Sequence, residues 1–299
     1  MISAPTGKEP RAHGVLAVIV VFERDLDQVS AWPVLLRGLW EAGPDAVPEL
    51  DFALIYDNSA VARARPQSTV GRCVYRHDPR NGGTAAAYTH AVSLATDLGL
   101  EWLLLLDHDT HLPPDFIRVV ATAVQSREQP SVVRAYVPWV CHGDRLIVSP
   151  SLVTRSGSFR PLNANQLVGR GQHVSAIASG SVLNVSALRE LLPLPAGLWL
   201  DYVDHWIFAQ FHRRGFVIEL LNCRVDHDLS IVSPAALTES RLVSVLEGEA
   251  KYYSALGWVA RAVYPWRIMW RITQMLFVNP RLARCAFLWA WSRVGSAYD

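Results

Sequence analysis

Residues 101–110 read Glu101-Trp102-Leu103-Leu104-Leu105-Leu106-Asp107-His108-Asp109-Thr110. Five consecutive apolar residues, 102–106, run into two carboxylates one residue apart, the pattern of a strand buried on both faces whose C-terminal end delivers charge to a cleft. Open α/β sheets bind ligands at that edge. Asp107 and Asp109 flank one residue in a tight turn, so both can aim hard oxygens at a single divalent cation. Mg²⁺ or Mn²⁺ takes such ligands and keeps other positions open for phosphate. The plainer reading is a solvated strand end followed by a turn, and the surrounding chain has to decide between them.

Upstream, residues 14–22 (GVLAVIVVF) form a continuous β-branched run that ends in Glu23-Arg24-Asp25, as a buried first strand should. Residues 26–40 carry apolar side chains at helical spacing, and the next apolar run, 52–56, ends in Asp57-Asn58-Ser59. Strand, helix and strand make one βαβ unit with a carboxylate at its tip. Asp57 is a candidate acceptor for a nucleobase or ribose, or else it closes the strand with an Asx turn. A short strand at 73–76 leads into His77-Asp78-Pro79-Arg80-Asn81-Gly82-Gly83-Thr84 and an alanine-rich helix over 85–98. Gly82 and Gly83 allow a close backbone approach, and the helix start offers amides to phosphate or sugar hydroxyls. A turn capped by Thr84 explains the same residues.

Downstream, Pro113-Pro114 opens a helix running to about 125, and strands follow at 132–140 and 146–148 around the turn His142-Gly143-Asp144. Residues 151–172 turn to Ser, Asn, Arg and Gly and read as a long loop beside the cleft. A strand at 174–179, then Ser179-Gly180-Ser181, precedes a helix at 186–192. Residues 198–206 (LWLDYVDHW) set Asp201 and Asp204 at a helix start, where acids are favoured by the helix dipole. The helix stops at Gly215. After a strand at 216–221, residues 225–230 (VDHDLS) carry His227 to another strand end.

With 299 residues, 51% hydrophobic and 18% charged, the chain can bury a large core, and a formal net charge of +1 gives no global reason to expect nucleic acid as a partner. Cys73, Cys141, Cys223 and Cys285 stand far apart, with no C-x-x-C pair, which argues against a zinc site or disulfide framework and for reduced thiols in the cytoplasm. Residues 1–13 have no apolar centre and are expected to form a loose tail. No apolar run reaches bilayer-spanning length. A catalytic domain is expected over 14–235 and a helical segment over 236–299. From Trp258 onward in that segment, Trp258, Trp266, Trp270, Trp289 and Trp291 alternate with Arg261, Arg267, Arg271, Arg281, Arg284 and Arg293, opposed only by Asp299. A basic amphipathic helix pair of this kind suits the inner face of the cytoplasmic membrane. The alternatives are packing on the catalytic domain and a homodimer contact.

The ordered set VIVVFERD, YDNS, NGGTAAAYTHAV, LLLLDHDTHLPPDF, ASGS, LDYVDHW and HDLS, spread over about 14–232, resembles glycosyltransferase family 2. These are inverting enzymes of the GT-A fold, and the likeness is to rhamnosyltransferase-like bacterial members. The resemblance implies an α/β fold with a mostly parallel, Rossmann-like sheet flanked by helices, and a C-terminal helical extension. It implies a nucleoside-diphosphate sugar donor, with rhamnose among the sugars, and a glycan or lipid-linked glycan acceptor. Asp57, Asn81, Gly82, Gly83, Asp107, Ser179 and Gly180 would meet the donor. Asp107, Asp109 and His227 would hold Mg²⁺ or Mn²⁺, and Asp204 would be the catalytic base. Trp206 and Gln210 depart from the pattern, which has an acid and an arginine at those places. Two other readings compete. One is a haloacid-dehalogenase-type phosphatase, since Asp107-His108-Asp109-Thr110 approximates its first motif. The other is a nucleotide-sugar binding protein without turnover, motivated by Trp206 and Gln210.

Overall fold

The computed structural model describes residues 13–39, 49–63, 72–126, 133–143, 146–162, 171–227 and 237–295. The first half is a run of βα units: β1 (Val15–Val21), α1 (Trp32–Leu39), β2 (Phe52–Asp57), β3 (Cys73–His77), α2 (Gly83–Asp97), β4 (Trp102–Asp107), the two-residue β5 (Thr110–His111) and α3 (Phe116–Gln125). The second half contains β6 (Val133–His142), β7 (Leu146–Ser149), β8 (Ser151–Val153), β9 (Phe159–Pro161), β10 (Val174–Ser175), β11 (Val182–Asn184), α4 (Val185–Arg189), α5 (Val203–Arg213) and β12 (Val217–His227). Three helices close the chain: α6 (Glu239–Ala255), α7 (Trp258–Val278) and α8 (Pro280–Gly295).

Nine strands form one sheet in the order β3-β2-β1-β4-β11-β6-β12-β5, with β7 alongside β6. Strands β3, β2, β1 and β4 run parallel, so their C-terminal ends share one edge. β1 shows why this sheet is buried on both faces. Its Leu16, Val18 and Val20 join the core beneath α2, α4 and α5, whereas Val15, Ala17, Ile19 and Val21 join the core beneath α1 and α3. Alternate side chains of an extended strand point to opposite faces, so an unbroken apolar run is what a two-sided core needs.

The stretch 151–172 is not one long loop. β8 pairs antiparallel with β9 and with β10, making a small second sheet that lies along α5. Its strands, SLV, FRP and VS, are two or three residues long, too short for any alternation of apolar residues to mark them, and packing on α5 supplies the order. β12 is likewise longer than its apolar part, continuing to His227 through a bulge near Leu220–Arg224.

Among the described residues the Trp/Arg run lies on a pair of helices, α7 and α8, and α6 precedes them, so the region is not purely basic. Glu249 on α6 is buried and takes a two-pronged contact from Arg271, at 2.5 and 3.0 Å. Glu239 pairs with Arg281 and Glu247 with Arg293, while Arg267 donates to Ser158 Oγ at 2.7 Å. Tyr252 and Tyr253 of α6 belong to the main core, so the helical segment is fastened to the α/β unit.

Candidate active site

Asp107 ends β4 in register with Val20, and Asp57 ends β2 in register with Val21, so the two acids flank the same end of β1. The D-x-D turn then folds back. β5 pairs antiparallel with β12, setting Thr110 opposite His227 and His111 opposite Asp226. This short ladder carries His227, more than a hundred residues further along the chain, to the carboxylate turn.

Four side chains meet there. Ser179 Oγ donates to Asp107 Oδ2 at 3.2 Å and lies 3.1 Å from His227 Nδ1. The same imidazole nitrogen is 3.5 Å from Asp109 Oδ1. Burial, followed by the charges of Asp109 and Asp204, pushes the Asp107 carboxyl up to about 7, with the Ser179 hydrogen bond acting the other way. Asp109 Oδ1 is buried and accepts no hydrogen bond. Among the described residues no three His, Cys, Asp or Glu side chains are gathered tightly enough to hold a metal ion alone. Even so, an unsatisfied carboxylate oxygen beside an imidazole and a second, crowded carboxylate fits part of a divalent cation's shell. Mg²⁺-like ions fill the rest from substrate phosphates and water.

Asp204 faces this cluster from the first turn of α5. Its Oδ2 accepts Ala178 N–H at 3.1 Å and its Oδ1 accepts His205 N–H at 2.7 Å, which fixes the carboxylate against the 176–181 turn. The next side chain, His205, bonds Ser175 Oγ at 2.8 Å and packs on Phe159, its ring centroid 4.3 Å away. Asp201 points elsewhere and meets Arg241 at 2.8 Å. Trp206 is buried in the main core, and Gln210 accepts from Arg214 at 2.9 Å. The places where the family pattern has an acid and an arginine therefore serve packing and a local helix contact.

The other predicted donor residues have structural partners. Asp57 is buried, and its oxygens accept Ser59 N–H (2.9 Å), Arg63 N–H (3.0 Å) and Tyr75 O–H (2.5 Å). Burial alone would raise this carboxyl, but these hydrogen bonds outweigh it and hold the group below the usual range. The Ser59 bond is an Asx turn, so Asp57 shapes the loop at the sheet edge. Asn81, in the left-handed region at φ 51°, accepts Trp199 Nε1–H at 2.6 Å through its carbonyl. Gly83, at φ 70°, lies under Trp199. A Cβ there would stand 2.7 Å from Trp199 Cδ1 and collide with its carbonyl oxygen. Ala85 N–H and Thr84 O–H donate to the Trp199 and Leu200 carbonyls at 3.1 Å each. The start of α2 thus grips the 198–202 strap that leads into Asp204. Gly180, at φ 83°, makes the turn that aims Ser179, its α-carbon close to Pro138 and Phe116.

Sequence reasoning missed Trp199, Tyr75 and the Ser175–His205 pair. Only Trp199 left a trace, as an aromatic beside the acids of LWLDYVDHW.

No family model matches the chain, and no curated protein matches it. Solved structures do. GalNAc-T7, crystallised with UDP, GalNAc and Mn²⁺, superposes over 80% of this chain at a TM-score of 0.52 and 14% identity. The match spans 48% of GalNAc-T7, about half its length. Glucosyl-3-phosphoglycerate synthase from Mycobacterium tuberculosis, in complex with phosphoglyceric acid, superposes over 82% of this chain and 81% of its own at a TM-score of 0.50 and 12% identity. At these identities the likeness is one of fold. The fold is GT-A, a large and mostly parallel sheet flanked by helices, here with C-terminal helices added.

Proposed function

We propose that the chain is an inverting, metal-dependent glycosyltransferase that moves a hexosyl unit, rhamnose being the first candidate, from a nucleoside-diphosphate sugar to a hydroxyl of a glycan or lipid-linked glycan. The observation that carries this reading is the meeting of Asp107, Asp109, Ser179, His227 and Asp204 at the ligand edge of a GT-A sheet. That GalNAc-T7 was crystallised with UDP and Mn²⁺ and that a synthase shares the fold support it.

In this reading Asp109 and His227, with Asp107, hold Mg²⁺ or Mn²⁺, which when bound neutralises charge on the departing nucleoside diphosphate. Asp204 takes the proton of the acceptor hydroxyl as that oxygen bonds to the anomeric carbon and the bond to the diphosphate breaks. Its two backbone contacts leave each oxygen a further lone pair for that proton. Asp57 shapes the nucleoside end of the cleft through the 57–63 loop. A GT-A sheet disfavours the dehalogenase-type phosphatase. The test is a thermal-shift panel of nucleoside diphosphates and nucleotide sugars with and without Mn²⁺. A donor at one hundred times its dissociation constant should stabilise the fold by about 2.7 kcal/mol, and only with metal present. A flat panel would end this reading, and binding of a donor without transfer to any acceptor would favour the non-catalytic alternative.

We also propose that the enzyme works in the cytoplasm on the inner face of the cytoplasmic membrane, docking through α7 and α8. Among the described residues no helix is long and apolar enough to cross a membrane. Yet Trp266 (76%), Trp270 (66%) and Phe277 (88%), four and seven residues apart on α7, are exposed, as is Trp291 (69%) on α8, and apolar surface of this size asks for cover. Because α6 acids engage Arg271, Arg281 and Arg293, and Arg267 is turned onto Ser158 and Tyr253, the arginines of α7 and α8 left unengaged among the described residues are Arg261 and Arg284. Two such charges near anionic lipid contribute about 2 kcal/mol, the only part that salt should remove. Co-sedimentation with anionic vesicles should therefore weaken but persist at high salt, and neutral vesicles should retain some protein. Absence from both pellets, with a dimer mass in light scattering, would assign the face to a second copy instead.

A further inference from the structure

A cavity of about 390 Å³ lies at the far end of α5 from the carboxylate cleft, walled by the β8–β9 turn, by α5 and by the α6–α7 junction. His212 stands eight residues beyond Asp204, about 12 Å along the helix at 1.5 Å per residue. This volume lies within the range of small-ligand sites, roughly 300–1,000 Å³. Its polar lining is Thr154, Arg155, His173, His212 and Arg213, with no acid among the described lining residues. Leu256, Trp258 and Val259 make an apolar wall, and Trp258 begins the exposed aromatic face of α7.

Arg214, Arg241, Arg271, Arg281 and Arg293 all meet carboxylates, whereas Arg155 and Arg213 have no ion pair or hydrogen bond among the described residues. His173 and His212 stack face to face, centroids 4.3 Å apart and planes within 1°. Burial, then the charge that His212 would carry, depresses His173 to about 3, and burial lowers His212 as well. Both rings are thus neutral at pH 7 and each offers one N–H. His173 Nε2 is buried without a hydrogen-bond partner. Two unpaired guanidiniums and two neutral donors, in a cavity with one apolar wall, are complementary to a doubly charged group on an apolar body.

We propose that this cavity is a second ligand site, separate from the donor cleft, that binds the phosphate group of an amphiphilic phosphorylated compound. Arg155 and Arg213 meet the phosphate oxygens, the His173–His212 pair donates to them, and the apolar part lies along Leu256, Trp258 and Val259. Such a phosphate can come from a lipid headgroup or from a soluble phosphorylated metabolite. The assignment does not depend on the chemistry at Asp204.

The test uses the full chain and calorimetric titration with inorganic phosphate, n-octyl phosphate and n-octanol, alongside vesicles of phosphatidylcholine with and without phosphatidic acid. Imidazole resonances of His173 and His212 are followed by NMR. Octyl phosphate should bind more tightly than inorganic phosphate, octanol should bind least, and both imidazoles should shift. The double variant Arg155→Ala/Arg213→Ala, which alters two exposed side chains, should lose at least about tenfold in affinity. Its unfolding midpoint should match that of the wild type. Loss of phosphatidic-acid binding in the same variant supports the site with a lipid source, and loss confined to octyl phosphate supports it with a soluble source. Octyl phosphate binding that leaves the two imidazoles unmoved, affinity unchanged in the folded double variant, or no binding of any phosphate probe would overturn the proposal.

Discussion

Asp109→Asn should lose metal-dependent nucleoside-diphosphate binding by about a hundredfold or more while the metal-free protein becomes no less stable. Altering groups that only orient a metal's ligands costs 10- to 100-fold in affinity, so loss of a charged ligand should cost at least the upper end. The stability half of the expectation follows from the electrostatics of the cluster. Asp107 is raised to about 7 by burial first and by Asp109 second. A carboxyl whose folded-state pKa lies above its unfolded one holds more protons when folded, so stability falls as pH rises from the ordinary carboxylate range to about 7. Removing the Asp109 charge shrinks that window. Asp109 Oδ1 accepts no hydrogen bond that an amide could spoil. At neutral pH without metal, Asp109→Asn should therefore unfold at the same or a slightly higher denaturant concentration than the wild type. Under Mn²⁺ and UDP the order should reverse. Identical Mn²⁺ titrations for the two proteins would remove the cation from the proposed mechanism.

The same cluster shows what was legible in the sequence. Strands β1, β2 and β4 could be read because burial on both faces demands unbroken apolar runs, and their carboxylates could be placed because parallel strands share an edge. Ser179 and His227 sit in recognisable motifs, but their convergence on Asp107 and Asp109 depends on the two-residue β5–β12 ladder, a non-local pairing that leaves no periodic signal. Asp57 and the Gly82-Gly83 pair were ambiguous for a physical reason. An Asx turn and a ribose contact use the same carboxylate, and a glycine that admits a ligand also admits Trp199. The structure shows the turn and the tryptophan. The acids facing the C-terminal arginines could not be foreseen either, since Glu239, Glu247 and Glu249 lie upstream of the Trp/Arg run and meet it only after α7 and α8 fold back on α6. Asp228, the acid beside His227 in HDLS, lies outside the described residues.

Asp204→Asn should bind donor and metal as the wild type does yet transfer sugar about 10² to 10⁴ times more slowly, the usual loss with a general base. The variant is not structurally silent, because both oxygens of Asp204 accept backbone N–H groups, from Ala178 and His205. An asparagine keeps one acceptor and turns its amino group toward the other N–H. That should cost about 1–3 kcal/mol, the penalty of an unsatisfied buried donor, so unfolding must be measured beside transfer. The rate loss can be separated from that penalty by saturating donor and Mn²⁺, since a merely loosened strap would raise the donor's KM and recover at saturation, whereas loss of the proton acceptor lowers kcat. Asp201→Asn supplies the contrast. Asp201 lies in the same strap but is held by Arg241, and it is raised by burial although Arg241 pulls it down, so its loss should disturb stability more than turnover. If Asp204→Asn keeps a kcat near that of the wild type, the base lies elsewhere, and Asp201 and Asp228 become the acids to replace next.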